Sequence, residues 1–137
     1  MNTGREPLVD ALAERARSRA VEVGIGARPD VAAALADRGI GVTATDVVAR
    51  DVPAPVEFVH DDVTAPDPSV YQGADLVYAL NCPPELQRPL TEVAEQAGAA
   101  WVFTTLGADP AVVQATRRTL PDETLFTSAS PEGDTRR

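Results

Sequence analysis

The chain has 137 residues, a net charge of −9 and a 44% hydrophobic composition: one domain by the ordinary length prior, long enough to bury a core without disulfides or metals. Every one of its basic residues is arginine, and the acidic balance excludes a general nucleic-acid binder, because neutralising phosphates takes a basic surface. A single cysteine, Cys82, and a single histidine, His60, exclude an internal disulfide framework and a Cys- or His-rich metal site.

The opening "MNTGREPLVDALAERARSRA" lacks the apolar core of a signal peptide, and no run approaches the ~20 apolar residues of a membrane span; a soluble, cytoplasmic protein is expected. Within that segment Leu8, Leu12 and Ala16 recur at helical spacing, which predicts an amphipathic N-terminal helix within residues 1–19. "AVEVGI" reads as the first strand and "PDVAAALADRG" as a helix opened by Pro29 and stopped by Gly39. "GVTATDVV" is a second strand and "VEFVHDDV" a third. A Pro-rich turn, "APDPSVYQG", leads into a fourth strand, "ADLVYAL", and "PPELQRPLTEVAEQAG" is a helix entered through Pro83 and Pro84. "AAWVFTTL" is the fifth strand, with Trp101 and Phe103 in the core. "DPAVVQATRRTL" is expected to be helical, "ETLFTSA" a short strand, and residues 129–137 a flexible tail.

Strands alternating with helices imply a mostly parallel sheet of about five to six strands with helices on both faces. This is a doubly wound, Rossmann-like three-layer α/β/α domain. In such sheets ligands bind beyond the carboxyl ends of the strands, where the strand order reverses. Acids cluster at those ends: Glu22 at the first strand, Asp46 at the second, Asp61 and Asp62 at the third. Each alone could be a helix cap or loop residue; three consecutive strands delivering an acid to one edge is the stronger signal. Asp46 lies 24 residues after Glu22, close to the ~20 expected between a glycine loop and a ribose-binding acid.

The loop "VGIGARPD" carries Gly24 and Gly26, but Arg28 and Pro29 stand where a dinucleotide loop continues toward its third glycine. Pro29 also removes a backbone donor from the helix start, and Glu22 brings negative charge near any pyrophosphate. Like charges about 5 Å apart repel by about 1–3 kcal/mol at an effective dielectric of ~20–80. S-adenosylmethionine has no phosphate and is cationic at sulfur and nitrogen, so an acid there attracts it, and Arg28 can pair with its carboxylate. A tight ligand-free turn is the alternative for the glycine pair. "NCPPE" follows the fourth strand and offers Asn81, beside a Pro-Pro helix start that needs no function. Cys82 reads as a buried hydrophobe. His60, next to two acids, is a candidate base or simply a satisfied polar residue.

The glycine loop, Asp46 and the "DD" after the third strand resemble the first three cofactor motifs of class I S-adenosylmethionine-dependent methyltransferases. Over roughly residues 20–107 the run "EVGIGARPDVAAALADRGIGVTATDV…FVHDDVTAP…YQGADLVYALNCPPELQ" is similar to a small archaeal family of uncharacterised proteins with a truncated methyltransferase-like fold. That resemblance implies Glu22, Gly24 and Gly26 at the methionine end, Asp46 at the ribose, and Asp61 or Asp62 at the adenine. An acidic, lysine-free chain also fits a salt-rich haloarchaeal cytoplasm, although a GC-rich genome would equally favour arginine. Binding of S-adenosylmethionine or a related adenosine ligand is therefore expected, with Asn81 the candidate catalytic residue of a small methyltransferase. The alternatives are a non-catalytic nucleotide-binding or interaction module and an NAD-binding oxidoreductase fragment, the latter disfavoured by Glu22 and Pro29. About thirty residues follow the fifth strand, too few to enclose a substrate, so a partner subunit or homo-oligomer is expected to complete the site.

Overall fold

A computed structural model describes residues 5–128 of the chain. Its centre is β1 (Arg19–Val23), hydrogen-bonded in parallel to β2 (Gly41–Asp46) on one side and to β4 (Leu76–Ala79) on the other. β3 (Glu57–His60) extends the sheet beyond β2, and β5 (Ala100–Phe103) beyond β4. A hairpin, β6 (Thr116–Thr119) and β7 (Thr124–Thr127), completes a seven-stranded sheet of order β3-β2-β1-β4-β5-β7-β6. β7 runs antiparallel to both of its neighbours. The five parallel strands thus have the Rossmann order, with the direction of winding reversing between β1 and β4.

Central strands covered on both faces must be apolar on both. In β1, Ala20 joins the core shared with α1 (Glu6–Arg15) and α2 (Asp30–Asp37), while Val21 and Val23 point into the opposite core. That second core is closed by α3 (Pro84–Gln96) and by the 3-10 turn Pro68–Val70 with Tyr71. Trp101, Phe103 and Phe126 stack in series there, with ring centroids 5.8 and 5.3 Å apart. Asp75 fixes where β1 starts: its Oδ2 accepts from the Ser18 and Arg19 N–H groups at 2.6 and 2.9 Å. Burial opposes ionisation of this carboxyl, but those N–H groups and the Ser18 hydroxyl outweigh it and hold it below the usual carboxylate range.

The helix expected over residues 109–120 does not form. Gln87, fully buried on α3, donates from Nε2 to the Pro110 carbonyl (2.9 Å) and accepts the Val112 N–H at Oε1 (2.6 Å). Satisfying that buried carboxamide from both sides holds the segment extended. Residues 116–119 then pair with β7 through a turn in which the Leu120 N–H donates to the Glu123 carbonyl. The hairpin raises the strand count from the expected five or six to seven. The proposed tail, residues 129–137, lies outside the described residues, as do residues 1–4.

Asp75→Ala strips the start of β1 of its acceptor while leaving the apolar core intact. We expect a loss of about 1–3 kcal/mol, the cost of orphaning the partly buried Arg19 N–H. Denaturant unfolding in high potassium chloride measures it; an unchanged midpoint would show that water replaces the carboxylate.

Candidate functional site

The C-terminal edge of the sheet carries the candidate residues, and the loop after β1 organises them. Gly24 and Gly26 have φ values of +70° and +60°, a region side chains rarely adopt. A Cβ built on either would meet nothing within 4 Å. The glycines are therefore required by backbone conformation, and the space beside them is open. The Gly24 and Ile25 N–H groups both donate to the Thr45 carbonyl, at 2.9 and 3.0 Å, which ties the loop to β2.

Asp46, the last residue of β2, faces this loop. Its Oδ2 accepts the Gly26 N–H at 2.8 Å and its Oδ1 the Val48 N–H at 3.1 Å. Arg50 Nε lies 3.4 Å from Oδ2, an ion pair without hydrogen-bond alignment, so that this buried Nε donates to no acceptor. Burial works against ionisation of Asp46, but the two N–H groups and the Arg50 charge outweigh it and hold the carboxyl below the usual range. Asp46 is thus an ionised acceptor with lone pairs to spare.

The other acids divide among three environments. Glu22 lies inside β1, paired in register with Ala44 and Tyr78, and only 1% of its surface is exposed. Parity puts it on the α1–α2 side with Ala20, and its Oε1 accepts the Tyr78 hydroxyl at 2.7 Å. Burial pushes the Glu22 carboxyl up to about 8, against the Tyr78 hydrogen bond and the Arg5 charge, with Asp30 adding to the rise. Asp61 turns to the opposite face, where Oδ2 accepts the Tyr71 hydroxyl (2.8 Å) and Oδ1 the Asp67 N–H (3.0 Å). Asp62 is exposed and accepts from the hydroxyl and N–H of Thr64 at 2.6 and 2.9 Å, contacts that hold its carboxyl below the usual range. The edge therefore gathers Asp46, Asp61 and Asp62, while Glu22 sits beneath it rather than on it.

Arg28 is exposed on the glycine loop. His60, the register partner of Asp46, has Nε2 2.8 Å from the Val47 carbonyl, to which that tautomer donates. Asn81 follows β4 with φ +54°. Its N–H donates to Thr104 Oγ1 (2.8 Å), while the Cys82 N–H donates to the Thr104 carbonyl (2.7 Å). Those bonds engage the two N–H groups, and Asn81 lines an open cavity of about 520 Å³ together with Thr104 and the β6–β7 turn. Cys82 is buried and its thiol is pushed up to about 12 by burial, with Glu85 adding to the rise, so it is no nucleophile. The core position read for Tyr78 holds, but sequence reasoning missed that its hydroxyl binds Glu22 and that Tyr71, read as a shield for the adenine, is buried with its hydroxyl on Asp61; it also missed Arg50 beside Asp46 and the cavity wall. It also missed Arg5, whose guanidinium grips Glu123 through Nη2 (2.8 Å) and Nε (3.4 Å).

A family model described as "Uncharacterised protein family (UPF0146)" matches residues 5–130. The chain belongs to the UPF0146 family. A family protein of Halobacterium salinarum is 58% identical over 122 residues, covering 88% of this chain and 95% of the relative. One from Archaeoglobus fulgidus is 45% identical over 102 residues, covering 74% of this chain and 78% of the relative. Among solved structures, an RNA methyltransferase from Salinibacter ruber in complex with S-adenosyl-L-homocysteine superposes with a TM-score of 0.61 at 17% identity, over 89% of each chain. At that identity the likeness is one of fold: the chain carries the methyltransferase-like Rossmann fold, in an archaeal family. Among the described residues no helix is long and apolar enough to cross a membrane.

The buried Glu22 makes stability depend on pH. The folded state keeps a proton that the unfolded chain, with its carboxyl near 4.5, has released; stability should therefore fall as pH rises from about 4.5 to 8. The slope is up to about 1.4 kcal/mol per pH unit. Glu22→Gln keeps an acceptor for Tyr78 and abolishes this titration. The variant's stability advantage should widen steadily between pH 5 and 8 in paired denaturation curves, whereas a constant gap would mean that Glu22 does not titrate there.

Proposed function

We propose that the glycine loop and Asp46 bind an adenosine ligand, S-adenosylmethionine first, at the C-terminal edge of β1 and β2. The observation that carries this reading is the meeting of Gly26 and Asp46: a backbone held open at two left-handed glycines, locked to an ionised carboxylate one strand away. That carboxylate has acceptor capacity left for the two hydroxyls of a ribose, and the buried Nε of Arg50 beside it wants an acceptor. Open space along Gly24 and Gly26 fits a ligand lying against the backbone. Asp62, exposed at the end of β3, fits the role of acceptor for an adenine amino group; Asp61, engaged by Tyr71 and Asp67, fits that of its support. Exposed Arg28 suits a carboxylate.

Glu22 has a different part from simple attraction. With its carboxyl pushed up to about 8 by burial, it lies beneath the loop with Arg5 and Asp30 near enough to move its titration. A cationic ligand above the loop favours its ionised form, so binding of such a ligand should release a proton near neutral pH. A dinucleotide gains nothing there: its pyrophosphate would face the carboxylate that already caps the Gly26 N–H. An NAD-binding oxidoreductase fragment is disfavoured on that ground.

When bound, S-adenosylmethionine supplies an activated methyl group. This chain's part is to orient it and, through the Asn81 carboxamide beyond β4, to hold an acceptor nearby; cytoplasmic location and any completing subunit belong to the same reading. Binding without catalysis is the second reading. It is favoured by the exposed Glu85 at the first turn of α3 and by the inert Cys82 beside Asn81.

Calorimetry with S-adenosylhomocysteine, S-adenosylmethionine and NAD tests the assignment. We expect the two sulfur ligands to bind and NAD to fail, and Asp46→Ala to weaken binding at least about tenfold, equivalent to one lost charge-assisted hydrogen bond. NAD binding without the others would overturn it. If methyl transfer to any acceptor is found, Asn81→Ala should slow it while leaving S-adenosylhomocysteine affinity unchanged.

A further inference from the structure

Beyond the adenosine edge, the ends of β4 and β5 and the β6–β7 turn line the open cavity of about 520 Å³. Its volume lies in the range of small-molecule sites, which run from ~300 to ~1,000 Å³. Every polar side chain that lines it can accept a hydrogen bond and none carries positive charge: the Asn81 carboxamide, four threonine hydroxyls (Thr104, Thr105, Thr119 and Thr124) and the carboxylates of Asp122 and Glu123. Glu123 is paired with Arg5, which lies outside the lining; Asp122 has no ion-pair partner among the described residues. Among the described residues no arginine, histidine or aromatic side chain lines the space, and Leu106 supplies an apolar wall.

We infer that this cavity binds a small protonated amine, a short aliphatic chain with one or two ammonium groups. Three properties of the lining select that class. The unpaired Asp122 carboxylate, with no cation in the lining, repels phosphates and carboxylates and attracts ammonium groups. Threonine hydroxyls and a carboxamide oxygen accept the remaining N–H bonds of an ammonium, which offers three donors and no acceptor. A nucleobase would need a flat partner to stack on, and the lining has none; a nucleic-acid strand would meet a chain of net charge −9. The methylene stem of the amine fits against Leu106.

The cavity begins at Asn81, two residues past Ala79 at the end of β4, and β4 is the neighbour of β1 across the point of reversal. An amine held there is beside the adenosine edge. Its standing as the acceptor of a methyl group rests on the function proposed above; occupancy of the cavity does not. Arg5 is a positioning residue in this scheme: by gripping Glu123 it anchors the hairpin turn to α1 and keeps the cavity's outer wall in place.

Amide NMR on the full chain in high potassium chloride tests the inference, with putrescine as probe and succinate and butanediol as controls. Putrescine should shift the amides of Thr104, Leu106, Asp122 and Glu123 saturably, and the two controls should not. Asp122→Asn should weaken putrescine about tenfold, the loss of one charge-assisted contact. Glu92→Gln, on the exposed side of α3, should leave it unchanged. Shifts that scatter over the acidic surface, or that respond equally to both variants, would overturn the inference, as would a response to succinate. S-adenosylhomocysteine titrated into the same samples reports separately on Gly24 and Gly26. Its binding without saturable putrescine shifts defeats the amine site alone, whereas the reverse outcome upholds the cavity and defeats the adenosine reading.

Discussion

The parallel ladder that holds β1 between β2 and β4 is the constraint from which the rest of the molecule follows. Five residues, Arg19–Val23, pair on both edges and are covered on both faces. A strand enclosed on four sides tolerates a charged residue only if that residue is neutralised or paired. Glu22 meets the requirement by keeping its proton near neutral pH and sharing a hydrogen bond with Tyr78, its register partner across the ladder. The direction of winding reverses at that same pair of strands, so the buried acid lies directly beneath the place where a doubly wound sheet opens toward a ligand.

Two left-handed glycines then lift the chain out of β1, and their N–H groups, with that of Ile25, return to β2. They do so through the Thr45 carbonyl and the Asp46 carboxylate. The loop is stiffened by its neighbour and not by its own helix: α2 starts at Asp30 without a side-chain cap. Asp46 consequently has two roles. It completes the hydrogen bonds of an otherwise exposed loop, and it stays ionised while doing so. A carboxylate pre-oriented by backbone N–H groups gives up little freedom on meeting a ligand, which is the physical content of preorganisation.

Much of this was legible in the residues. The apolar runs behind β1, β2, β4 and β5, and the α2 and α3 segments with their proline entries and glycine exits, carry periodicities that tertiary structure did not override. What was not legible depended on partners distant in sequence. Whether Glu22 faces the rim or the interior is a matter of strand parity and of Tyr78, 56 positions away. Of the adjacent pair Asp61 and Asp62, only contact with Tyr71 decides which turns inward. The segment 109–120 has helix-forming residues, yet the buried carboxamide of Gln87 claims its backbone. "LPDE" at 120–123 was the overlooked signal: proline followed by aspartate is turn chemistry, and it marks a hairpin where a helix was expected.

That single misassignment hid the cavity. With a helix over 109–120 the chain lacks material to cover a second molecule; with a hairpin there, the turn at 120–123 folds back over the ends of β4 and β5. Arg5, at the start of α1, then reaches the far side of that turn through Glu123. The two segments flanking the Rossmann core, which a motif search passes over, are thus tied to each other across the open edge of the sheet. A pair whose side chains remain about one-fifth to one-quarter exposed contributes modestly to stability. Its consequence is geometric: it ties the start of the first helix to the last hairpin at Glu123, a residue that with Leu120 and Asp122 lines both the 520 Å³ cavity and the smaller one beside Pro7 and Leu8.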